Sequence, residues 1–287
     1  MSDLDFLQRR FPHLTGSARM LACEMAQLVL DRRSPSQPYV LGISGAQGSG
    51  KSTLAELVSA VLEECHGLRL AVLSLDDFYL PRAERELLGR SVHPLCATRG
   101  VAGTHDMGLL AATLDRFAAA GPDSRTAVPV FDKLADDRLP DAQWSRYAGR
   151  VDCVILEGWC VGLRAAHVGA WSGPANALEA EEDADGTWAK WSAAHLPAYE
   201  AVWDRIDYLL GIVLPDMETV IQSRLKQERG LVAAGGDPAR AMDEAGVRRF
   251  VGHYERHTRA LWAHFRDAAD RLVLRDAAFE YQPFAGS

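Results

Sequence analysis

The sequence predicts an α/β fold built on a parallel sheet, and three observations carry that prediction. Short apolar runs of strand length alternate with longer helical stretches, the order that gives parallel strands joined by helical crossovers. A glycine-rich loop connects the first of those runs to the helix that follows it. The chain has 287 residues, 48% of them hydrophobic, which is enough for one large α/β core with a helical elaboration.

Residues Gly16 to Arg33 place Met20, Leu21, Met25, Leu28 and Leu30 at helical spacing, and Pro35 and Pro38 break the pattern. Residues 1–38 therefore read as an N-terminal helix and linker packed on the core. Tyr39 to Ser44 is the first buried strand, and Ser52 to Val58 opens a helix with apolar periodicity. Four more strands are expected at Leu70 to Leu75, Val151 to Leu156, Tyr208 to Leu214 and Leu272 to Leu274. Two stretches read as insertions placed to shape a pocket: Arg90 to Met107, with its glycines and histidines, and the Trp-rich helical stretch 164–203. The acidic run Glu179 to Asp183 reads as a solvated helix face. From Asp243 to Arg271, Val247, Phe250, Val251, Tyr254, Leu261, Trp262 and Phe265 form a helical stripe that reads as core packing. One domain covering 1–287 is the simplest organisation.

Composition excludes several classes. The formal net charge of −8 and a pI near 5.6 argue against bulk attraction to nucleic acid or to an anionic membrane, so phosphate binding has to use local basic groups. Cys23, Cys65, Cys96, Cys153 and Cys160 are odd in number, scattered, and contain no C-x-x-C pair. They suit reduced thiols, with no disulfide or zinc framework. The first residues, Met1-Ser2-Asp3-Leu4-Asp5, lack the basic and apolar regions of a leader, and no apolar run is long enough to span a bilayer. A cytoplasmic protein is expected. His66, His93, His167, His195, His253, His257 and His264 fall into no metal-ligand spacing. His253 and His257 sit four apart with no third ligand, so surface or packing roles are expected.

Gly45-Ala46-Gln47-Gly48-Ser49-Gly50-Lys51-Ser52 satisfies G-x-x-x-x-G-K-[ST], the phosphate loop of nucleotide-triphosphate sites, between a strand and a helix. Glycines allow the backbone to close around a β-phosphate, and N–H groups at the helix start supply partial positive charge. Lys51 then reaches the β/γ oxygens and Ser52 serves as a Mg²⁺ ligand. The candidate nucleotide contacts are thus Gly45 to Ser52, with Thr53 beside them.

In parallel sheets ligands gather at the carboxyl ends of the strands, which here are Ser44, Asp76, Glu157 and Pro215. Consecutive strand residues face opposite ways, so Asp76 and Asp77 form no shared-proton dyad: one faces the phosphates while the other supports the loop. A single carboxylate suffices to take a proton from a hydroxyl nucleophile. Val151 to Glu157 is an apolar strand ending in an acid, the pattern in which Glu157 holds Mg²⁺ through water or polarises an attacking group. Arg99, His105, Lys133 and Arg138 are candidates for anion recognition, although each standing alone reads as a surface ion pair. Arg224, Lys226 and Arg229 share one expected helix, where a closing lid over 216–242 would bring positive charge to a transferring phosphoryl group. They read equally as solvated helix charges.

With these residues in place, the chain resembles the P-loop small-molecule kinases of the uridine kinase, phosphoribulokinase and pantothenate kinase group, and within it the D-glycerate 3-kinases of plants and fungi and their bacterial relatives. The resemblance rests on an ordered set: Gly45 to Ser52, Ser74 to Tyr79, Arg99-Gly100 with Gly103 to Asp106, Phe131 to Lys133, Glu157-Gly158-Trp159, and Arg224-Leu225 with Glu228. It implies a three-layer fold with helices on both faces of a five-stranded parallel sheet of order 2-3-1-4-5, and a mobile helical lid. It implies ATP and Mg²⁺, with Lys51, Asp76 and Arg224 as catalytic residues, Ser52 and Glu157 at the metal, and Asp76 as the acid that takes the hydroxyl proton. Asp76, Tyr79, Arg99, His105, Lys133 and Arg138 would then contact a small carboxylate-bearing acceptor, D-glycerate before others, with no nucleic-acid or membrane partner. Leu134-Ala135 before Asp136-Asp137-Arg138 and Lys226-Gln227 depart from the plant pattern. Two alternatives stay open: a kinase of the same group acting on a nucleoside, pentose phosphate or pantothenate-like acid, and a nucleotide-binding regulatory protein without transfer. A GTP switch lacks its N-K-x-D signature.

Overall fold

The computed structural model describes residues 1–233 and 241–284. Part of the expected lid, 234–240, lies outside the described residues. In chain order the helices are α1 (Asp3–Arg10), α2 (Gly16–Arg32), α3 (Lys51–Ala60), α4 (Arg82–Ser91), α5 (Met107–Ala118), α6 (Ala165–Val168), α7 (Ala177–Glu182), α8 (Thr187–Trp203), α9 (Met217–Ala233) and α10 (Glu244–Ala268). The strands are β1 (Tyr39–Gly45), β2 (Leu70–Ser74), β3 (Arg125–Val128), β4 (Phe131–Asp132), β5 (Asp137–Arg138), β6 (Ser145–Ala148), β7 (Cys153–Gly158), β8 (Tyr208–Val213), β9 (Arg271–Arg275) and β10 (Tyr281–Pro283).

The central sheet runs β10-β9-β8-β1-β7-β2. Its pairs are parallel except β9–β10, which is antiparallel. The five parallel strands run β2-β7-β1-β8-β9, the expected order 2-3-1-4-5, and β10 adds a sixth, antiparallel strand at the β9 edge. The three residues of β10 are too few and too polar for an apolar-run reading, and pairing with β9 alone makes them a strand.

Alternation along the strands explains the layers. Leu41, Ile43, Cys153, Ile155, Leu210 and Ile212 belong to one apolar cluster, filled from outside by α2, α3 and α9 through residues such as Met25, Leu54 and Val220. Their neighbours Val154, Leu156, Leu209 and Val213 face the opposite cluster, filled by α5 and α8 through Leu110 and Leu196. Both faces of β7 are buried, as they must be when helices cover both sides of a parallel sheet. Truncating fully buried Ile155 to alanine would cost about 2–5 kcal/mol. The long α10 crosses between the layers, placing Val247 and Val251 in the first cluster and Tyr254, Leu261 and Phe265 in the second, in keeping with its apolar stripe.

Local chemistry sets the helix starts. The Asp243 carboxylate accepts from Gly246 N at 2.7 Å and caps α10, and Thr15 caps α2 through Ala18 N. In α2 the core-facing residues are Leu21, Ala22, Met25, Ala26 and Val29, while Met20, expected on the apolar face, is 51% exposed. The acidic run is also corrected. Glu179 and Asp183 are buried: Glu179 forms a forked pair with Arg256, and Asp183 accepts from Trp188 N and Ala189 N at the start of α8. Only Ala180, Glu181 and Glu182 of that run face solvent. His253 and His257 are buried, and Trp159, Trp188 and Trp203 are core residues.

Candidate active site

Register brings the candidate residues together. Ser44 pairs with Gly158 across β1 and β7, and Ser74 pairs with Glu157 across β2 and β7. The three strand ends are thus level, and the phosphate loop leaves β1 beside them. Gly48 and Gly50 take φ of 73° and 87°, a region costly for other residues. A side chain on Gly48 would lie 2.7 Å from Ser223 Cβ of α9, so glycine also lets α9 approach the loop.

Glu157 is the hub of the floor. Its Oε1 accepts from Ser52 Oγ at 3.0 Å and from Ser74 Oγ at 2.8 Å, and Lys51 Nζ lies 3.9 Å from Oε2. That Oε2 is buried with no hydrogen-bond partner among the described residues. A hydroxyl and a carboxylate make a hard-oxygen donor pair of the kind Mg²⁺ takes, so the residues present fit that ion. Ser49 Oγ and Gln47 Oε1 in the loop are likewise buried without partners.

Asp76 and Asp77 lie on a single 3-10 turn, Leu75–Phe78, that continues β2. The strand alternation expected for them does not apply, yet the turn divides them in the same way. Asp76 Oδ2 accepts from Lys133 Nζ at 2.7 Å and its Oδ1 from Tyr79 OH at 3.2 Å. Burial raises its pKa, but the charges of Lys133 and Lys51 outweigh burial and hold it at about 2. Asp77 instead accepts from Phe131 N at 3.1 Å, tying the turn to β4. Burial, with the negative charge of Asp76, pushes it up to about 6.

His105 stacks on Tyr79 with ring centroids 4.3 Å apart. Its Nδ1 lies 2.7 Å from Tyr199 OH, and that oxygen already accepts from Gly103 N at 3.0 Å. Nδ1 is the acceptor available to the buried Tyr199 hydroxyl among the described residues, and the tautomer that accepts that proton has Nε2 as an N–H donor. Nε2 is buried and has no partner among the described residues. Burial lowers the His105 pKa to about 3, so the ring is a neutral donor at physiological pH and not the cation its place among basic candidates suggested.

Arg99 pairs with Asp136, which also holds the fully buried Arg85 at 3.1 Å, and its guanidinium lies over Phe131. Arg224 on α9 pairs with Glu228 and lies over Phe250. A cavity of about 320 Å³ has Arg99, Asp136, Arg224 and Phe250 in its lining, so these two arginines share one opening. Arg138 differs from its expectation. Its guanidinium donates to the Tyr79 carbonyl at 3.1 and 2.7 Å and to Asp106 at 3.3 Å, which makes it a brace for Tyr79.

Sequence reading gave no site role to Tyr199, Tyr254, Arg275 or Tyr281. Tyr254 Cζ lies 2.8 Å from where a Cβ on Gly100 would stand, so the glycine beside Arg99 makes room for α10. Arg275 ends β9, and the carboxyl-end rule could have found it; nothing local marks the others.

The chain matches no protein-family model. It is 34% identical over 225 residues to the uncharacterized kinase mug58 of Schizosaccharomyces pombe, covering 76% of this chain and 79% of that protein. It is 30% identical over 226 residues to the chloroplastic D-glycerate 3-kinase of Arabidopsis thaliana, covering 76% of this chain and 46% of that protein. The chain thus spans less than half the length of the plant relative. The structure of D-glycerate 3-kinase from Cryptococcus neoformans var. grubii serotype A superposes with a TM-score of 0.72 at 28% identity, covering 92% of this chain and 99% of that one.

Proposed function

Because the chain belongs to the P-loop kinase family that contains the D-glycerate 3-kinases, we propose that it uses ATP and Mg²⁺ to phosphorylate the hydroxyl of a small carboxylate-bearing acceptor, with D-glycerate to 3-phosphoglycerate as the leading reaction. The observation that carries this reading is the Asp76–Lys133 pair at 2.7 Å near the unpartnered Nε2 of His105. Together they offer one acceptor for a hydroxyl proton, one cation for a carboxylate, and one neutral donor.

Phosphoryl transfer has a loose transition state, so the protein mainly positions groups and offsets charge. In this reading Lys51 of the loop reaches the β/γ oxygens, and Arg224 is the cation that α9 brings beside the loop. Ser52 and Glu157 would hold Mg²⁺, which would supply neutralisation of charge spread over the phosphoryl oxygens. An Asp76 held at about 2 stays ionised and orients the hydroxyl. An acceptor carboxylate that engages Lys133 draws away the strongest charge holding Asp76 down, which makes Asp76 a better base at the moment the hydroxyl arrives. His105 Nε2–H donates to an acceptor oxygen, and Arg99 lines the entrance.

The test is coupled ADP release by the purified protein with MgATP against D-glycerate, L-glycerate, uridine, ribulose 5-phosphate and pantothenate, with the product identified by mass. Turnover confined to D-glycerate supports the reading. Turnover on another member of the panel moves the acceptor, and bound ATP with no turnover on any of them favours the regulatory alternative.

A further inference from the structure

The strand pair β9–β10 holds the phosphate loop by its carbonyls. Arg275, at the end of β9, is fully buried. Its Nη2 donates to the Gly48 carbonyl and, at 2.9 Å, to Ser223 Oγ of α9, and its Nη1 donates to the Asp276 carbonyl at 3.0 Å. Tyr281 of β10 donates its hydroxyl to the Ser49 carbonyl at 3.1 Å, and a side chain on Gly50 would land on that same hydroxyl. Burial pushes the Tyr281 phenol up to about 12, so it remains a proton donor throughout the working range.

The strand pair is itself anchored. The turn between its strands is closed by Asp276 Oδ1, which accepts from Ala278 N at 2.9 Å and Glu280 N at 3.0 Å. Tyr281 N then donates to Ser17 Oγ in the first turn of α2 at 2.8 Å. A continuous path of contacts runs from the N-terminal helix through β10 to the loop.

We infer that Arg275 and Tyr281 are positioning residues that set the affinity of the phosphate loop for triphosphate, and that Arg275 couples the loop to the lid helix α9 through Ser223. The physical reason lies in the peptide plane: in a trans peptide the C=O and the following N–H point in opposite directions. Holding the Ser49 carbonyl on Tyr281 turns the Gly50 N–H to the other side, where the phosphates lie. Holding the Gly48 carbonyl on Arg275 likewise fixes the Ser49 N–H, which donates to the Ala46 carbonyl at 3.1 Å. A pre-aimed donor spares the ordering cost at binding. Arg275 also puts a buried positive charge beneath the loop, with no carboxylate at salt-bridge distance among the described residues. The inference rests on the phosphate-loop reading and on no particular acceptor.

The experiment is titration calorimetry of the full chain with MgATP and, separately, with magnesium inorganic triphosphate, for wild type, Tyr281→Phe, Arg275→Lys and Arg275→Met. Tyr281→Phe, which removes one hydroxyl, is expected to weaken both ligands by about tenfold, with KM for the acceptor unchanged. Arg275→Lys keeps the charge and loses the fork, so it should weaken both by less than Arg275→Met does. Wild-type affinity in both Tyr281→Phe and Arg275→Lys overturns the inference, even if Arg275→Met fails to fold. A loss for MgATP with none for inorganic triphosphate also overturns it, because that pattern belongs to a base-binding role. Failure of the wild-type protein to bind MgATP overturns it as well. Wild-type binding of MgATP without turnover on D-glycerate removes only the acceptor assignment.

Discussion

Replacing Asp77 with asparagine should stabilise the protein at neutral pH and leave phosphoryl transfer intact, whereas the same change at neighbouring Asp76 should abolish transfer. Asp77 is held at about 6 against an ordinary value of 3.8. Between those two values the folded protein keeps a proton that the unfolded chain has released, so stability falls as pH rises through that window and is level above it. At about 1.4 kcal/mol per pKa unit the full cost would be ~3 kcal/mol. Partial exposure reduces this to about 1–3 kcal/mol. Asparagine keeps an oxygen to accept from Phe131 N and removes the charge. At about 2 °C per kcal/mol for a chain of this size, the variant should melt roughly 2–6 °C higher at pH 7.5. Asp76 has the opposite sign: held at about 2, it contributes stability that is complete above 3.8 and lost as pH falls toward 2. The assay is thermal unfolding of wild type and Asp77→Asn at half-unit steps from pH 4 to 8, with turnover measured at pH 7.5. The gap in melting temperature should open between pH 4 and 6 and then stay constant. A variant less stable than wild type at pH 7.5, or a gap independent of pH, would refute the burial account of Asp77. Full turnover by folded Asp76→Asn would remove Asp76 from the hydroxyl-orienting role.

Lys133→Met should raise KM for the acceptor by at least about tenfold, the scale of one lost charge-assisted hydrogen bond, while KM for MgATP stays within twofold; equal effects on both would place Lys133 at the nucleotide instead. Tyr199→Phe leaves the buried Gly103 N–H without its acceptor and His105 without its tautomer lock, so stability should drop by about 1–3 kcal/mol and acceptor kcat/KM by roughly tenfold. Tight MgATP binding retained by that variant would separate the acceptor effect from general damage. Glu157→Gln keeps an acceptor for Ser52 and Ser74 but loses the charge, so half-maximal activity should need on the order of ten times more Mg²⁺, and an unchanged Mg²⁺ profile would remove Glu157 from the metal.

The sequence by itself determined the elements whose chemistry is local. Gly45 to Ser52 could be read because a phosphate loop needs glycines, a lysine and a hydroxyl at fixed spacing between a strand and a helix. The strands β1, β2, β7, β8 and β9 were legible as apolar runs because both faces of a covered parallel sheet are buried. Glu157 stood out as an acid ending such a run, and the structure puts it beside Ser52. What only the tertiary structure decided depends on partners far apart in the chain. Glu179 became a buried forked pair because Arg256 arrives from α10, 77 residues away. Arg138 became a brace because its guanidinium meets the Tyr79 carbonyl 59 residues distant. His105 reads as a basic residue in sequence, and only burial against Tyr79 and Tyr199 makes it neutral. The Arg275 and Tyr281 contacts beneath the loop span more than 200 residues, and no periodicity or spacing along the chain records them. Charge state and hydrogen-bond partner depend on what folding brings near and on how much water it removes, and these are set by packing.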